Sequence, residues 1–179
     1  MSKIISQKLN IRHYKKIYAS LTPDIFTYLK SSVPENEEEE KKYIKKLLLQ
    51  MQRGEGYYYV YMDKGSRELK GFGGLKIKEK TAEIQLWVKQ DQWGKGIGKF
   101  IIDDLVKKCI KICKIPVIAC NKKNSRALKL FKKIGFVRIK NMEQIISFFK
   151  NYDYRLHYFV WPRDSKGACR REQPSLVDL

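Results

Sequence analysis

Acidic residues are scarce in this sequence. Asp and Glu number 19 against 38 Lys and Arg, for a formal charge of +19 over 179 residues. A field of that sign favours polyanionic neighbours such as RNA, the ribosome or acidic proteins. The lysines are nonetheless scattered along the chain, which is equally how a lysine-rich soluble surface is built. Histidine is almost missing, with only His13 and His157, and the cysteines (Cys109, Cys113, Cys120 and Cys169) lack CxxC spacing. No metal-ligand pattern is therefore present. Cys109 and Cys113, four apart on an expected helix, read as buried thiols rather than a bridge or a zinc site. No apolar run approaches the roughly 18 residues of a membrane span. The opening stretch from Met1 to Lys16 has no apolar core of the kind a signal peptide needs. A cytoplasmic protein in a reducing environment, with no membrane partner, is the expectation. No Gly-Lys-Ser/Thr follows a glycine loop, so the nucleotide-triphosphate loop with its metal-binding hydroxyl is excluded.

What is present is ordinary globular material, 43% hydrophobic and 12% aromatic, in a length that suits one domain. Helical spacing is expected over Asn10–Ser20, in a short turn opened by Thr22-Pro23-Asp24, and over Glu37–Gln52. In the last of these the acidic run Glu37–Glu40 precedes the lysines, the order the helix dipole favours; attraction of a cationic substrate is the other reading of that run. Strands are expected over Tyr57–Met62, Leu69–Ile77 and Thr81–Val88, joined by short turns into a meander. Tyr57–Tyr59 and Tyr61 read as strand-forming aromatics, one of which could line an acceptor pocket. Along Thr81–Val88, Ala82, Ile84, Leu86 and Val88 share one face, and Glu83, Gln85 and Trp87 the other. A helix stripe follows from Ile97 to Cys113, then a buried strand at Pro116–Cys120. A helix capped by Asn124 and closed by Gly135 comes next, then a strand at Phe136–Ile139. Asn141–Lys150 suits a helix or an extended segment equally. Tyr154–Trp161 alternates as a terminal strand. Residues 1–162 are expected to form the domain, and the polar stretch Arg163–Leu179 a disordered tail.

The chemistry centres on Trp87–Lys99, read WVKQDQWGKGIGK. An apolar strand breaks into Gly94, Gly96 and Gly98, and an amphipathic helix follows at once. Such a break leaves successive backbone N–H groups without partners at the positive end of a helix, a ready site for phosphate. The dinucleotide fingerprint fits poorly, because Gly98 follows Gly96 by two positions instead of three and the preceding strands form a meander rather than a βαβ unit.

Gln92-Trp93-Gly94-Lys95-Gly96-Ile97-Gly98, then a helix, then the stretch Asn124-Ser125-Arg126-Ala127 through Phe131 to Gly135-Phe136, resembles the GNAT superfamily of acetyl-CoA-dependent N-acetyltransferases. The first stretch is similar to that family's pyrophosphate loop, and the second to its N-x-x-A-x-x-L-Y-x-K-x-G-F segment. The resemblance is clear from Tyr57 to Ile139. The Trp-Gly-Lys-Gly form and Leu21-Thr22-Pro23-Asp24-Ile25-Phe26 are loosely similar to the branch containing ribosomal-protein N-terminal acetyltransferases.

The resemblance implies an α+β fold with a mixed, mostly antiparallel sheet of six or seven strands flanked by helices. A bulge would end the central strand and splay the fourth and fifth strands apart. It implies acetyl-CoA as cosubstrate, no metal, and direct acetyl transfer to a primary amine in a ternary complex. The acceptor would be a protein N-terminus, a lysine, a small-molecule amine or an aminoacyl group. The overall charge favours one attached to a polyanion such as the ribosome or tRNA over a free polyamine. Monomer and homodimer are both open.

On the same analogy the backbone of Leu86, Trp87 and Val88 holds pantetheine, with the Val88 N–H as oxyanion donor. Trp93, Gly94, Lys95, Gly96, Ile97, Gly98 and Lys99 hold the pyrophosphate, Lys95 and Lys99 adding charge. Glu83 is the general-base candidate; its other reading is a solvated strand residue. Asn124 is a candidate ligand of CoA or a water, and equally a plain helix cap. Phe131 packs beside the pantetheine arm or simply in the core. It stands where the family often has a tyrosine that protonates the departing sulfur. Thiolate is a tolerable leaving group, with a pKa of about 8.5, so that tyrosine helps without being obligatory. Trp93 stands where the family usually has Gln or Arg. Cys120 reads as a buried thiol rather than a nucleophile. The rival reading is a non-catalytic module of the same fold that binds CoA or RNA.

Overall fold

The computed structural model describes residues 3–29, 32–149 and 152–162. Its strands are β1 (Ile4–Lys8), β2 (Gly56–Asp63), β3 (Leu69–Ile77), β4 (Thr81–Val88), β5 (Ile115–Asn121), β6 (Val137–Ile139) and β7 (Leu156–Val160). The helices are α1 (Tyr14–Tyr18), α2 (Pro23–Phe26), α3 (Glu37–Gln52), α4 (Ile97–Lys111), α5 (Ser125–Ile134) and α6 (Met142–Phe149). The strands form one seven-stranded sheet in the order β1-β2-β3-β4-β5-β7-β6. The β4–β5 pairing is parallel and the others antiparallel. This is the expected mixed, mostly antiparallel α+β sheet.

Strand alternation decides which helix covers which face. In β2, Tyr59 and Tyr61 join Leu75, Ala82 and Ile84 under α4 and α5. Tyr58, Val60 and Met62 point the other way, to Phe72 and the Ile44–Leu47 stripe of α3 with Ile17 of α1. The tyrosines of β2 are thus core residues on both faces. Helix α4 lies close against β3, because a side chain at Gly73 would come within 2.9 Å of Ile101 Cγ2. A third cluster, Val117, Ile139, Ile145, Phe149 and Tyr158, packs α6 on the far strands.

Several expectations need correction. Ile4–Lys8 forms an edge strand paired from Ile4↔Asp63 to Lys8↔Tyr59; five residues with no flanking turn signal carry too little pattern to show it. The single helix expected over 10–20 is a tight turn, Ile11–His13, running into the short α1. Asn10 drives that turn, its Oδ1 accepting from Arg12 N–H at 2.9 Å. The ambiguous stretch 141–150 is helical over α6, where Asn141 Oδ1 accepts the Gln144 N–H at 2.9 Å and so favours helix at the first turn. Cys113 is no buried thiol: it stands exposed just past α4 at φ 57° and is disulfide-bonded. Cys109 and Cys120 are buried and free as expected. The expected disordered tail at 163–179 lies outside the described residues. Among the described residues no helix is long and apolar enough to cross a membrane.

Candidate active site

The site begins with where the backbone hydrogen bonds of β4 go. Lys78 N–H donates to Thr81 O at 2.9 Å at one end of the β3–β4 ladder, and Lys89 N–H to Lys70 O at 3.0 Å at the other. The register between them is unbroken. Antiparallel alternation therefore commits Glu83, Gln85 and Trp87 to β3 and turns the main-chain groups of Ala82, Ile84, Leu86 and Val88 toward β5. The bond from Ile115 N–H to Lys80 O at 3.0 Å agrees. On the other side, Trp161 N–H donates to Pro116 O and Lys122 N–H to Arg155 O, both at 2.9 Å. The same alternation then aims Val117, Ala119 and Asn121 at β4.

Yet β4 and β5 pair only at Thr81↔Ile115, Ala82↔Pro116 and Glu83↔Val117. Beyond that point they part. The main chains of Leu86 and Val88 stand on one lip, and those of Ala119 and Asn121 on the other. A cleft of about 1220 Å³ opens between them. The expected bulge in β4 is not there, since its register to β3 runs to Val88 without a shift. None is needed: β4 is laddered to β3 and β5 to β7, so the two halves diverge as separately held sheets. The register shift the sheet does contain lies in β2, between Tyr61 and Met62.

The glycine loop closes one end of the cleft. Gly94 and Gly96 take φ of 78° and 80°, a left-handed conformation that side chains resist. Gly96 is the N-cap of α4 and offers no side chain to the first turn. Among the described residues, no acceptor takes the N–H groups of Gly96, Ile97, Gly98 or Lys99. Four outward donors at a helix start form a nest for an anion. Trp93 anchors the loop: its Nε1 donates to Val88 O at 2.9 Å, and the Arg126 guanidinium lies 4.3 Å from its ring centre. The Val88 carbonyl is thereby occupied, while its N–H still faces the gap.

Of the residues expected to form the site, Glu83, Leu86, Trp87, Val88, Trp93, Gly94, Gly96, Ile97, Gly98, Lys99, Asn124 and Phe131 all line this cleft. Lys95 does not, and Lys99 is already paired with Asp103 at 2.5 Å. Trp87 contributes its indole, stacked 6.1 Å from Phe72, rather than its main chain, which β3 uses. Asn124 caps α5, its Oδ1 accepting from Ala127 N–H at 3.1 Å. Phe131 is 4% exposed and packs edge-on against Phe159 with ring centres 5.5 Å apart, so it serves the core and borders the cleft at once. Glu83 is half-buried, with Lys78 Nζ 3.7 Å from its Oε2. Burial pushes the Cys120 thiol up to about 11, which keeps it protonated and unreactive.

Sequence reading missed Ala119 and Asn121, whose role rests on main-chain direction, and Arg126, whose signal was only its place in the first turn of α5. It also looked for the pocket tyrosine in β2; the tyrosines on the cleft are Tyr28 and Tyr43, from the N-terminal helical segment. That segment brings carboxylates too. Asp24 is held by Gln90 Nε2, and Glu39 accepts the Glu35 N–H at 2.6 Å. Glu40 is 4% exposed, and burial first, then neighbouring Glu39, pushes its carboxyl up to about 7.

Comparison with known proteins agrees with this geometry. Residues 4–137 match a family model described as an acetyltransferase (GNAT) domain. Among solved structures, an acetyltransferase from Salmonella typhimurium that modifies the N-terminal serine of ribosomal protein L7/L12 is 18% identical. It superposes with a TM-score of 0.75 over 92% of this chain and 97% of that one. RimL, a ribosomal L7/L12 acetyltransferase in complex with coenzyme A, is also 18% identical, with a TM-score of 0.74 over 89% of this chain and 94% of that one. Spermidine N-acetyltransferase from Vibrio cholerae, with CoA and spermine, is 18% identical, with a TM-score of 0.69 over 88% and 95%. No curated protein matches by sequence.

Proposed function

From the premise that this chain belongs to the GNAT acetyltransferase family, we propose that the β4–β5 cleft carries out direct acetyl transfer from acetyl-CoA to a primary amine, with roles for its residues as follows. The observation that carries the reading is the parting of β4 and β5, which leaves an opening with free main-chain donors beside an anion nest. Acetyl-CoA suits it chemically: an amide-bearing arm completes the ladder along Leu86, Val88 and Ala119, and a pyrophosphate takes the N–H groups of Gly96 to Lys99. When bound it supplies the activated acyl group.

The protein's own contribution is placement and charge. Holding the amine against the thioester removes several kcal/mol of barrier, on the order of 7 at best. The Val88 N–H points into the gap and donates to the oxygen that gains charge. Glu83, on the cleft wall one strand position past the last β4–β5 pair but one, accepts the amine's proton directly or through a water. Asn124 fixes the start of α5, and Trp93 with Arg126 fixes the loop. Lys95 is assigned no contact with the ligand. We place the reaction in the cytoplasm, where acetyl-CoA is supplied.

The test is an amine and peptide screen read by release of free thiol. Wild type should turn over at least one acceptor, and Glu83→Gln should lower kcat/KM by about 100-fold or more with the acetyl-CoA affinity held. Full turnover by that variant would remove Glu83 as base. The rival, a CoA- or RNA-binding module without activity, draws support from Phe131 at the position of the family's usual acid. A thermal shift with RNA alone, together with no thiol release across the whole panel, would favour it.

A further inference from the structure

Glu40 sits where a surface carboxylate has no reason to be. Glu40, Ile44 and Leu47 are the buried residues of α3, at i, i+4 and i+7, so the carboxylate occupies the core-facing stripe of the helix. It lines the same cleft as Glu83 and Trp87. The other carboxylates that line the cleft all have partners: Glu39 accepts the Glu35 N–H, Asp24 is held by Gln90, and Glu83 lies beside Lys78. The Glu40 carboxylate has no hydrogen bond or ion pair among the described residues, although the residue is 4% exposed. A buried, unpaired carboxylate destabilises a fold. In a chain with 38 basic residues, a lysine or arginine partner would have been easy to supply. Glu40 lines the cleft, as do the rings of Tyr28, Tyr43 and Trp87. Aromatic faces beside a carboxylate suit an organic cation.

Resting on the acetyl-transfer reading above, we propose that Glu40 is the acceptor-specificity residue: it receives a second protonated nitrogen of an amine whose first nitrogen meets the thioester. The overall charge of +19 argues against such an acceptor at long range. Inside the cleft the local field decides, because solvent screens distant charges over about 10 Å, and there the N-terminal helices present Asp24, Glu39 and Glu40 together. The acceptor class is thus an amine with at least two cationic nitrogens, whether a small polyamine or a peptide with a lysine beside its N-terminus.

Steady-state thiol release with spermidine, a short Lys-containing peptide and benzylamine, joined to calorimetric binding of spermidine to the CoA-loaded protein, tests this. Glu40→Gln should raise KM for the dicationic acceptor by about tenfold while kcat changes far less, and should weaken calorimetric binding by a similar factor. Benzylamine should lose much less. Glu40→Asp should restore part of the difference, which a simple packing defect would not. A shift for spermidine alone assigns the small polyamine, and a shift for the peptide alone the protein N-terminus. Equal KM values for wild type and Glu40→Gln with every dicationic acceptor would overturn the proposal, as would wild type that binds benzylamine as well as spermidine. The two readings fail separately. No turnover of any amine, with spermidine binding still lost in Glu40→Gln, keeps the Glu40 site and defeats the transferase reading. Turnover of benzylamine with unchanged spermidine binding does the reverse.

Discussion

Glu40 and Phe131 show how much chemistry hangs on single side chains here. The Glu40 carboxyl is raised from 4.5 to about 7, so the folded protein holds that proton more tightly than the unfolded chain does. The stability this gives is complete below the unfolded value and is lost as pH climbs through that window. The loss is on the order of 3 kcal/mol. Glu40→Gln should therefore melt higher than wild type at pH 8, by roughly 6 to 12 °C, and alike at pH 4. Melting curves at the two values check it; an equal or lower Tm at pH 8 would mean that the carboxylate is better solvated than its position shows. Phe131 borders the cleft with its ring edge-on to Phe159. Phe131→Tyr adds a hydroxyl to a ring that lines the cleft and should leave thiol release level or raise it. A collapse in turnover with a lowered Tm would show that the ring is needed for packing alone. Both positions were named from the sequence with alternative roles, but which role each takes could not be read there. Glu40 reads as one of four acids at a helix start, and only the burial of Ile44 and Leu47 on its stripe sets it apart.

At the scale of elements, the loop and the parting strands do the work. Gly96 at φ 80° starts α4 without a side chain. Gly96→Ala forces that left-handed turn on a residue with a Cβ, at a cost of about 1–2 kcal/mol. It should lower Tm by several degrees and weaken acetyl-CoA binding measured by calorimetry; unchanged affinity would exclude the nest as the phosphate site. The loop was legible, because alternate glycines between a strand and a helix have few other uses. The bounds of α3, β3 and β4 were legible too, since caps and alternation are local. The short β1 and the direction of each backbone group were not, because register depends on partners far away in sequence. Val88 as donor follows from a ladder that begins at Lys78–Thr81 and ends at Lys89–Lys70.

The whole molecule is two laddered half-sheets, β1 to β4 and β5 to β6, joined in the middle by three register pairs. A cosubstrate lying in the opening ties the halves together. Acetyl-CoA at about 100 times its Kd should add about 2.7 kcal/mol, a rise in Tm of roughly 5 to 10 °C. A flat response would rule out the opening as its site.

Net charge is likewise a property of the whole chain, and it pointed away from polycationic acceptors. The sequence by itself determined the strands, the capped helices, the phosphate loop and the family's motif pair, because each rests on contacts a few residues apart. Only the tertiary structure decided that the sheet opens without a bulge in β4, that Ala119 and Asn121 face the opening from β5, and that acids from α2 and α3 line it within a basic chain. Those outcomes depend on long-range pairing and on a local field that composition averages away.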